Sequence, residues 1–159
     1  MKNVILSLCM AFVAAFMVSG CKKSGGRVNV VGININTLDG RDYKKQSMMG
    51  KTIYAAALDP VDGFASNVNV LKEDLGDKFL TMDAFLTASK GQYKMIGASM
   101  EVVNSSDNVS TVRAKMGGLD IYQRIFRDSA RKCFIVVTGT YKSDKDKSVI
   151  EACVDSAEL

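Results

Sequence analysis

The sequence predicts an α+β fold, a twisted and mainly antiparallel sheet flanked by helices. Short apolar runs alternate with polar residues between glycine- and aspartate-bearing turns, the period of strands with one buried face. Two segments, one central and one C-terminal, change to a helical period. The early runs follow one another through turns too short for a helical crossover, which favours antiparallel neighbours over βαβ winding.

In chain order, RVNVVGININTLDG starts at Arg27 and sets Val28, Val30, Ile33 and Ile35 between polar residues. It reads as a half-buried strand with Gly32 as a bulge, and LDGRD as the turn after it. KTIYAAAL is a second strand, closed by DPVDG, which holds the only proline, Pro60. FASNVNVLKEDL alternates again, with Ala65, Val68 and Val70 expected to divide between a buried and an exposed face. Met82, Phe85, Leu86, Ser89, Tyr93 and Ile96 then recur at i, i+3, i+4 and i+7. With Thr81 as N-cap and Gly97 as stop, they mark an amphipathic helix.

SMEVVNSSDN returns to strand and turn. VSTVRAKM, LDIYQRIFR and KCFIVVTGTY make three further strands, joined as hairpins at Gly117-Gly118 and RDSARK. SDKDK, 143–147, reads as a polar connector. The tail SVIEACVDSAEL is helical: Ser148 and Glu151 have capping-box spacing, and Ile150, Cys153, Val154 and Ala157 form one apolar stripe.

The succession GFASNVNVLKEDL, LTMDAFLTAS, LDIYQRIFRDSARKCFIVVTGTY and a closing ACVDSAEL resembles the PsbP-like and DcrB-like group of extracytoplasmic α/β/α domains over residues 63–159. The resemblance implies a PsbP-like/DcrB-like sandwich and carries no shared catalytic motif. The chain departs from that pattern in having no tryptophan. Fold alone does not assign an activity.

Residues 1–20 have the layout of a secretory signal: Lys2 is basic, Val4 to Val18 is almost wholly apolar, and Ser19 and Gly20 are small. The apolar stretch is short against the roughly 20 residues a spanning helix needs. Val18-Ser19-Gly20-Cys21 resembles the lipobox of bacterial lipoproteins. That resemblance implies diacylglyceryl transfer to the Cys21 sulfur, cleavage before Cys21 and acylation of the new amino terminus. Each buried methylene contributes about 0.8 kcal/mol and one chain anchors only weakly, so two or three acyl chains make attachment durable. The expected organisation is a lipoprotein signal peptide over 1–20, the lipidated Cys21 and a flexible tether over 21–27, and a single α+β domain over 28–159. Lys22 and Lys23 would lie beside lipid headgroups, with Ser24-Gly25-Gly26 as the tether. The competing readings are an ordinary cleaved signal and an uncleaved terminal anchor.

The formal charge of +4 is scattered among both signs, which does not make the clustered basic face of a nucleic-acid binder. The chain has no histidine, the commonest general base and a common metal ligand. No catalytic, cofactor or metal residue is therefore nominated. Asp59, Asp62, Glu73, Asp74 and Asp77 do not have EF-hand spacing and read as turn and surface residues. Asn104 and Asn108 head glycosylation sequons that a bacterial lipoprotein would not use.

Cys133 and Cys153 invite a disulfide reading. Walking back from Tyr141 to Cys133 along a strand covers about 26 Å. A helix from Ser148 to Cys153 advances only about 8 Å. The cysteines should stand farther apart than the Cα limit near 7 Å, so two buried thiols are favoured and the disulfide is the alternative.

Met48-Met49, Met95, Met100 and Met116 could line an adaptable groove, with core packing the competing reading. Tyr43 with Lys44 and Lys45, and Arg124, Arg127, Arg131 and Lys132, are the local basic concentrations. The functional expectation is a non-catalytic accessory or assembly factor of the cell envelope. It would be lipid-anchored on the periplasmic face of the inner or outer membrane, or at the cell surface. Its partners would be membrane lipid, through acylated Cys21, and an envelope protein. A small-ligand carrier with a cleft between sheet and helix, and an enzyme with a carboxylate or cysteine site, are the alternatives.

Overall fold

The computed structural model describes residues 25–48 and 50–159, so residues 1–24, with Cys21 and the expected signal peptide, and Met49 lie outside the described residues. The chain runs β1 (Arg27–Val30), β2 (Ile33–Asn36), β3 (Lys44–Met48), β4 (Lys51–Ala57), β5 (Asn67–Asp74), a 3₁₀ turn (Gly76–Lys78) and α1 (Met82–Met95). It continues through β6 (Ser99–Ser105), β7 (Val109–Met116), β8 (Leu119–Asp128), β9 (Cys133–Tyr141) and α2 (Asp144–Asp155). β3 to β9 form a seven-stranded sheet in the order β3-β4-β5-β9-β8-β7-β6, antiparallel at every junction. The fold is α+β: this sheet, a separate β1–β2 hairpin and two helices among the described residues.

The segment from Arg27 is two strands rather than one bulged strand. Val31 and Gly32 both take positive φ, 46° and 94°, and reverse the chain as a two-residue turn. Asn29 Oδ1 accepts from the Gly32 amide at 3.2 Å. A β-branched residue rarely tolerates that region, so Val31 stores strain which the turn imposes. LDGRD is a tight turn as expected: the Leu38 and Arg41 backbones exchange hydrogen bonds around Asp39 and Gly40, both at positive φ. Its arginine is buried, donating to Ala57 O at 2.9 Å and Asp59 Oδ2 at 2.8 Å.

β3 is an edge strand whose Lys44, Lys45 and Gln46 have no apolar alternation. β5 does not divide into a buried and an exposed face. Flanked by β4 and β9, it buries Asn67, Val68, Asn69, Val70 and Leu71 consecutively, and Ala65 ahead of it is buried too. α1 starts and stops where expected: Thr81 Oγ1 accepts from the Ala84 amide at 3.2 Å, and Gly97 stands at φ 73°. α2 begins a turn earlier than the sequence suggested, so SDKDK is its opening rather than a connector. The N-cap is Ser143, which leaves Ser148 and Glu151 inside the helix and not in a capping box. Asp144 and Asp146 in the first turn complement the helix dipole.

β9 is buried along its whole length because both layers rest on it. Its Cys133, Ile135 and Val137 join Ile33, Ile35, Val68, Val70 and the α2 residues Ile150 and Val154 on one face. Phe134 and Val136 join Val112, Ile125 and the α1 residues Phe85, Leu86 and Tyr93 on the other. Phe85 stacks on Phe134 with ring centroids 4.1 Å apart. Strand alternation thus sends neighbouring residues of one strand into two cores. At the far edge, β6 pairs among the described residues with β7 alone, and the register shifts between Val102 and Asn104 as a β-bulge.

Candidate functional site

A cleft of about 470 Å³ opens where the start of α2 meets β6, β7 and β8, with Glu101, Arg113, Lys115, Asp120, Tyr141 and Lys147 on its walls. Strand period explains why charged groups gather there. Val112 and Ala114 face the α1 core, which turns the intervening Arg113 toward α2. Tyr141 projects from the end of β9, and Tyr122 on β8 stands opposite Arg113 in register. Glu151 and Asp155, one turn apart on α2, supply the facing carboxylates.

These groups form one network. Arg113 grips Glu151 with both terminal nitrogens, Nη1 to Oε1 at 2.5 Å and Nη2 to Oε2 at 2.8 Å. Tyr141 OH donates to the same Oε1 at 2.5 Å. The Arg113 guanidinium lies 4.6 Å from the Tyr122 ring centre. Tyr122 OH donates to Asp155 Oδ1 at 2.8 Å, and Arg124 Nη1 donates to Asp155 O at 2.5 Å. Bidentate and charge-assisted bonds of this kind are the stronger class of hydrogen bond, and they fix side-chain direction as well as distance.

The network moves its acids away from neutrality. The Arg113 bonds hold the Glu151 carboxyl below its ordinary range, against the opposing effect of burial. Burial, and then donation to Glu151, push the Tyr141 hydroxyl up. Burial and the bond to Asp155 raise Tyr122 to about 12. A general acid or base works best with a pKa near the working pH. A carboxylate that is ionised and two phenols that are protonated at neutral pH are suited to holding a surface in shape and offering hydrogen bonds.

Cys133 and Cys153 are both buried free thiols. Cys133 opens β9 opposite Asp74 and Asp128, while Cys153 lies on α2 with Sγ 3.1 Å from Tyr43 OH and 3.3 Å from Asn36 O. Burial raises both thiol pKa values, which keeps them protonated and poorly nucleophilic. Cys21 lies outside the described residues.

Three of the five acidic residues stand in separate ion pairs: Asp59 with Arg41, Glu73 with Lys51 and Asp74 with Lys72. The basic concentrations are similarly engaged. Arg127 donates to Leu80 O at 2.8 Å and covers the Phe79 ring, and Arg131 pairs with Asp128. Met100 and Met116 pack against the α1 core while Met95 is exposed, so these methionines do not line one groove.

Arg113, Tyr122, Tyr141 and Asp155 were not singled out from the sequence, and Glu151 was read there only as the partner of Ser148 in a capping box. The available signal was local: an arginine between two apolar strand residues, and two carboxylates at i and i+4 beside an apolar helix stripe. No described helix is long and apolar enough to cross a membrane. Comparison with protein-family models and with curated proteins finds no match.

Proposed function

We propose that the chain is a bacterial lipoprotein held to the cell envelope through Cys21, whose PsbP-like or DcrB-like domain works outside the cytoplasm as a non-catalytic binding or assembly factor. The observation that carries this reading is the run from Val4 to Val18 followed by Ser19-Gly20-Cys21. The start of the fold supports it: β1 begins at Arg27, so the chain from Cys21 to that strand reaches at most about 20 Å. A domain on so short a tether would work close to the membrane surface.

The α2 cleft supports binding over catalysis, because its paired acids are shifted away from neutral pH. Its walls present both signs of charge, which suits a polar protein surface more than an anion. Intact-mass measurement of the membrane-extracted chain tests the anchor. The expected product lacks residues 1–20 and carries acyl mass on Cys21. Retention of those residues, or an unmodified Cys21, sinks the proposal. In-cell crosslinking followed by mass spectrometry should then recover an envelope protein attached near Glu101, Lys115 or Lys147, and recovery of the monomer alone counts against the assembly role.

A further inference from the structure

A separate cleft of about 460 Å³ opens beside the tip of the β1–β2 hairpin, where it meets β3, β4 and β5, and neither the anchor nor the α2 cleft uses it. Its walls include Val31, Lys45, Thr52, Tyr54, Lys72 and Asp74, with the Lys51–Glu73 ion pair beside them. Register explains the gathering. Tyr54 on β4 stands opposite Lys45 on β3 and opposite Val70 on β5. Val70 belongs to the α2 core, so strand alternation turns Tyr54, Lys45 and, two residues along, Lys72 to the same face.

The spacing lets two cations act on one group. Neighbouring strands lie about 4.8 Å apart and residues rise about 3.3 Å, which puts the Lys45 and Lys72 backbones roughly 12 Å apart across β4. Each lysine stem spans roughly 6 Å. Both ammonium groups therefore reach a ligand seated over Tyr54. Three lysines against two carboxylates leave the cleft with one net positive charge.

The lysines differ in how firmly they are held. Lys51 is committed to the buried Glu73. Lys72 holds Asp74 at 2.9 Å, but their side chains are 31% and 66% accessible, and a pair so open to water exchanges readily for a better anion. Lys45 is the member of its basic cluster that no ion pair holds among the described residues, and the Tyr54 hydroxyl beside it has no hydrogen-bond partner among them. Ammonium and hydroxyl donors converging from three strands suit an anion with several acceptor oxygens, and lysine binds phosphate as a point charge.

The hairpin tip supplies an apolar wall. Val31 stands at φ 46° and packs its half-buried side chain against the α2 core. Arg131 lies over the turn, with Nη1 3.5 Å from Val31 O, and a Cβ on Gly32 would overlap its guanidinium. Backbone strain held in place by its surroundings collects at ligand clamps. Inorganic phosphate would leave Val31 and the Tyr54 ring uncovered, whereas a phosphate bearing a short organic group would cover them.

We propose that the cleft beside the β1–β2 hairpin binds a small phosphate monoester, its phosphate between Lys45 and Lys72 at the Tyr54 hydroxyl and its organic part against Val31. A soluble ester and a lipid headgroup share this chemistry. The site is independent of whether Cys21 carries lipid.

Calorimetric titration of the full chain with glycerol 3-phosphate, and with dihexanoyl phosphatidic acid below its micellar concentration, tests the proposal. At least one ester should form a one-to-one complex, and the tighter of the two identifies the source. Inorganic phosphate should bind about fivefold more weakly than that ester, and glycerol should not bind. Lys45→Gln and Lys72→Gln should each weaken the ester about tenfold, and Tyr54→Phe about fivefold. Lys45→Gln, on an exposed edge strand, should leave Tm unchanged. Lys147→Gln, in the α2 cleft, should leave ester affinity unchanged. Binding of neither ester, equal binding of inorganic phosphate, unchanged affinity in both Lys45→Gln and Lys72→Gln, or an equal loss in Lys147→Gln overturns the proposal.

Discussion

Gly139 of β9 lies directly beneath Ile150 of α2: a Cβ at this position would overlap Ile150 Cγ2 and stand 3.0 Å from Val154 Cγ2. Helix and sheet meet here at the separation that only a missing side chain permits. Gly139→Ala should therefore lift α2 and destabilise the domain by about 1–3 kcal/mol. Urea unfolding followed by circular dichroism measures it, and wild-type stability would show that α2 yields without cost.

The Arg113–Glu151 pair is partly exposed, with the arginine side chain 40% and the glutamate 17% accessible. Solvent screening limits what it contributes. A double-mutant cycle with Arg113→Met and Glu151→Gln should return a coupling of about 1 kcal/mol that declines in high salt. A coupling unchanged by salt would mean that the pair is held by packing instead.

Acid should unfold the protein through lowered carboxyls. Glu151 is held below its ordinary 4.5 by Arg113. At Asp128 burial acts upward, but hydrogen bonds from Arg131 outweigh it and bring the group below 3.8. For both, the unfolded chain binds the proton more readily. Their contribution is present above the ordinary values and is lost as pH falls through the folded ones. Chemical-denaturation midpoints should fall below about pH 4.5. Glu151→Gln should make that decline shallower, and an identical slope would contradict the assignment.

At the other extreme, Tyr122 should ionise only near 12, which ultraviolet absorbance of tyrosinate can follow in a chain that has no tryptophan. Folding keeps the phenol protonated, so its contribution is complete below the ordinary value of 10.0 and is lost as pH rises from there toward about 12. Tyr122→Phe should remove part of this alkaline loss. An ordinary titration of all five tyrosines in the folded state would refute the buried network.

Phe134 is fully buried, stacked on Phe85 and tilted against Phe79 at 5.6 Å. Phe134→Ala should cost about 3–5 kcal/mol and detach α1 before α2. Hydrogen exchange would show it as early loss of protection over residues 82–95, and simultaneous loss in both helices would argue for a single undivided core.

The α1 stripe from Met82 to Tyr93 was legible because its side chains meet one core, and Thr81 and Gly97 mark its ends with specific backbone chemistry, but Ile96, expected on the same face, is the C-cap and stands 45% exposed. The same reasoning placed Ile150, Cys153, Val154 and Ala157 correctly but put the start of α2 too late, because Ser148 mimicked a cap. β3 escaped notice because an edge strand with Lys44 and Lys45 needs no apolar alternation. The division of faces expected for β5 failed because Asn67, Asn69 and Leu71, on the face away from α2, are buried along with Val68 and Val70 on the α2 face. The α2 cleft was invisible for another reason. Arg113, Tyr122, Tyr141 and Glu151 come from four separate elements, and only strand order and register bring them together.

The bulge in β6 has its consequence at the outer margin of the sheet. Val102 and Val103 are 41% and 54% exposed there, on a strand whose far side pairs with no described segment. A straight strand of that kind would template a visiting one and invite copies to zip together into a continuous ribbon. The extra residue at Val103 throws the hydrogen-bonding groups out of step. Molecules crowded side by side would therefore brush past one another at this margin instead of polymerising.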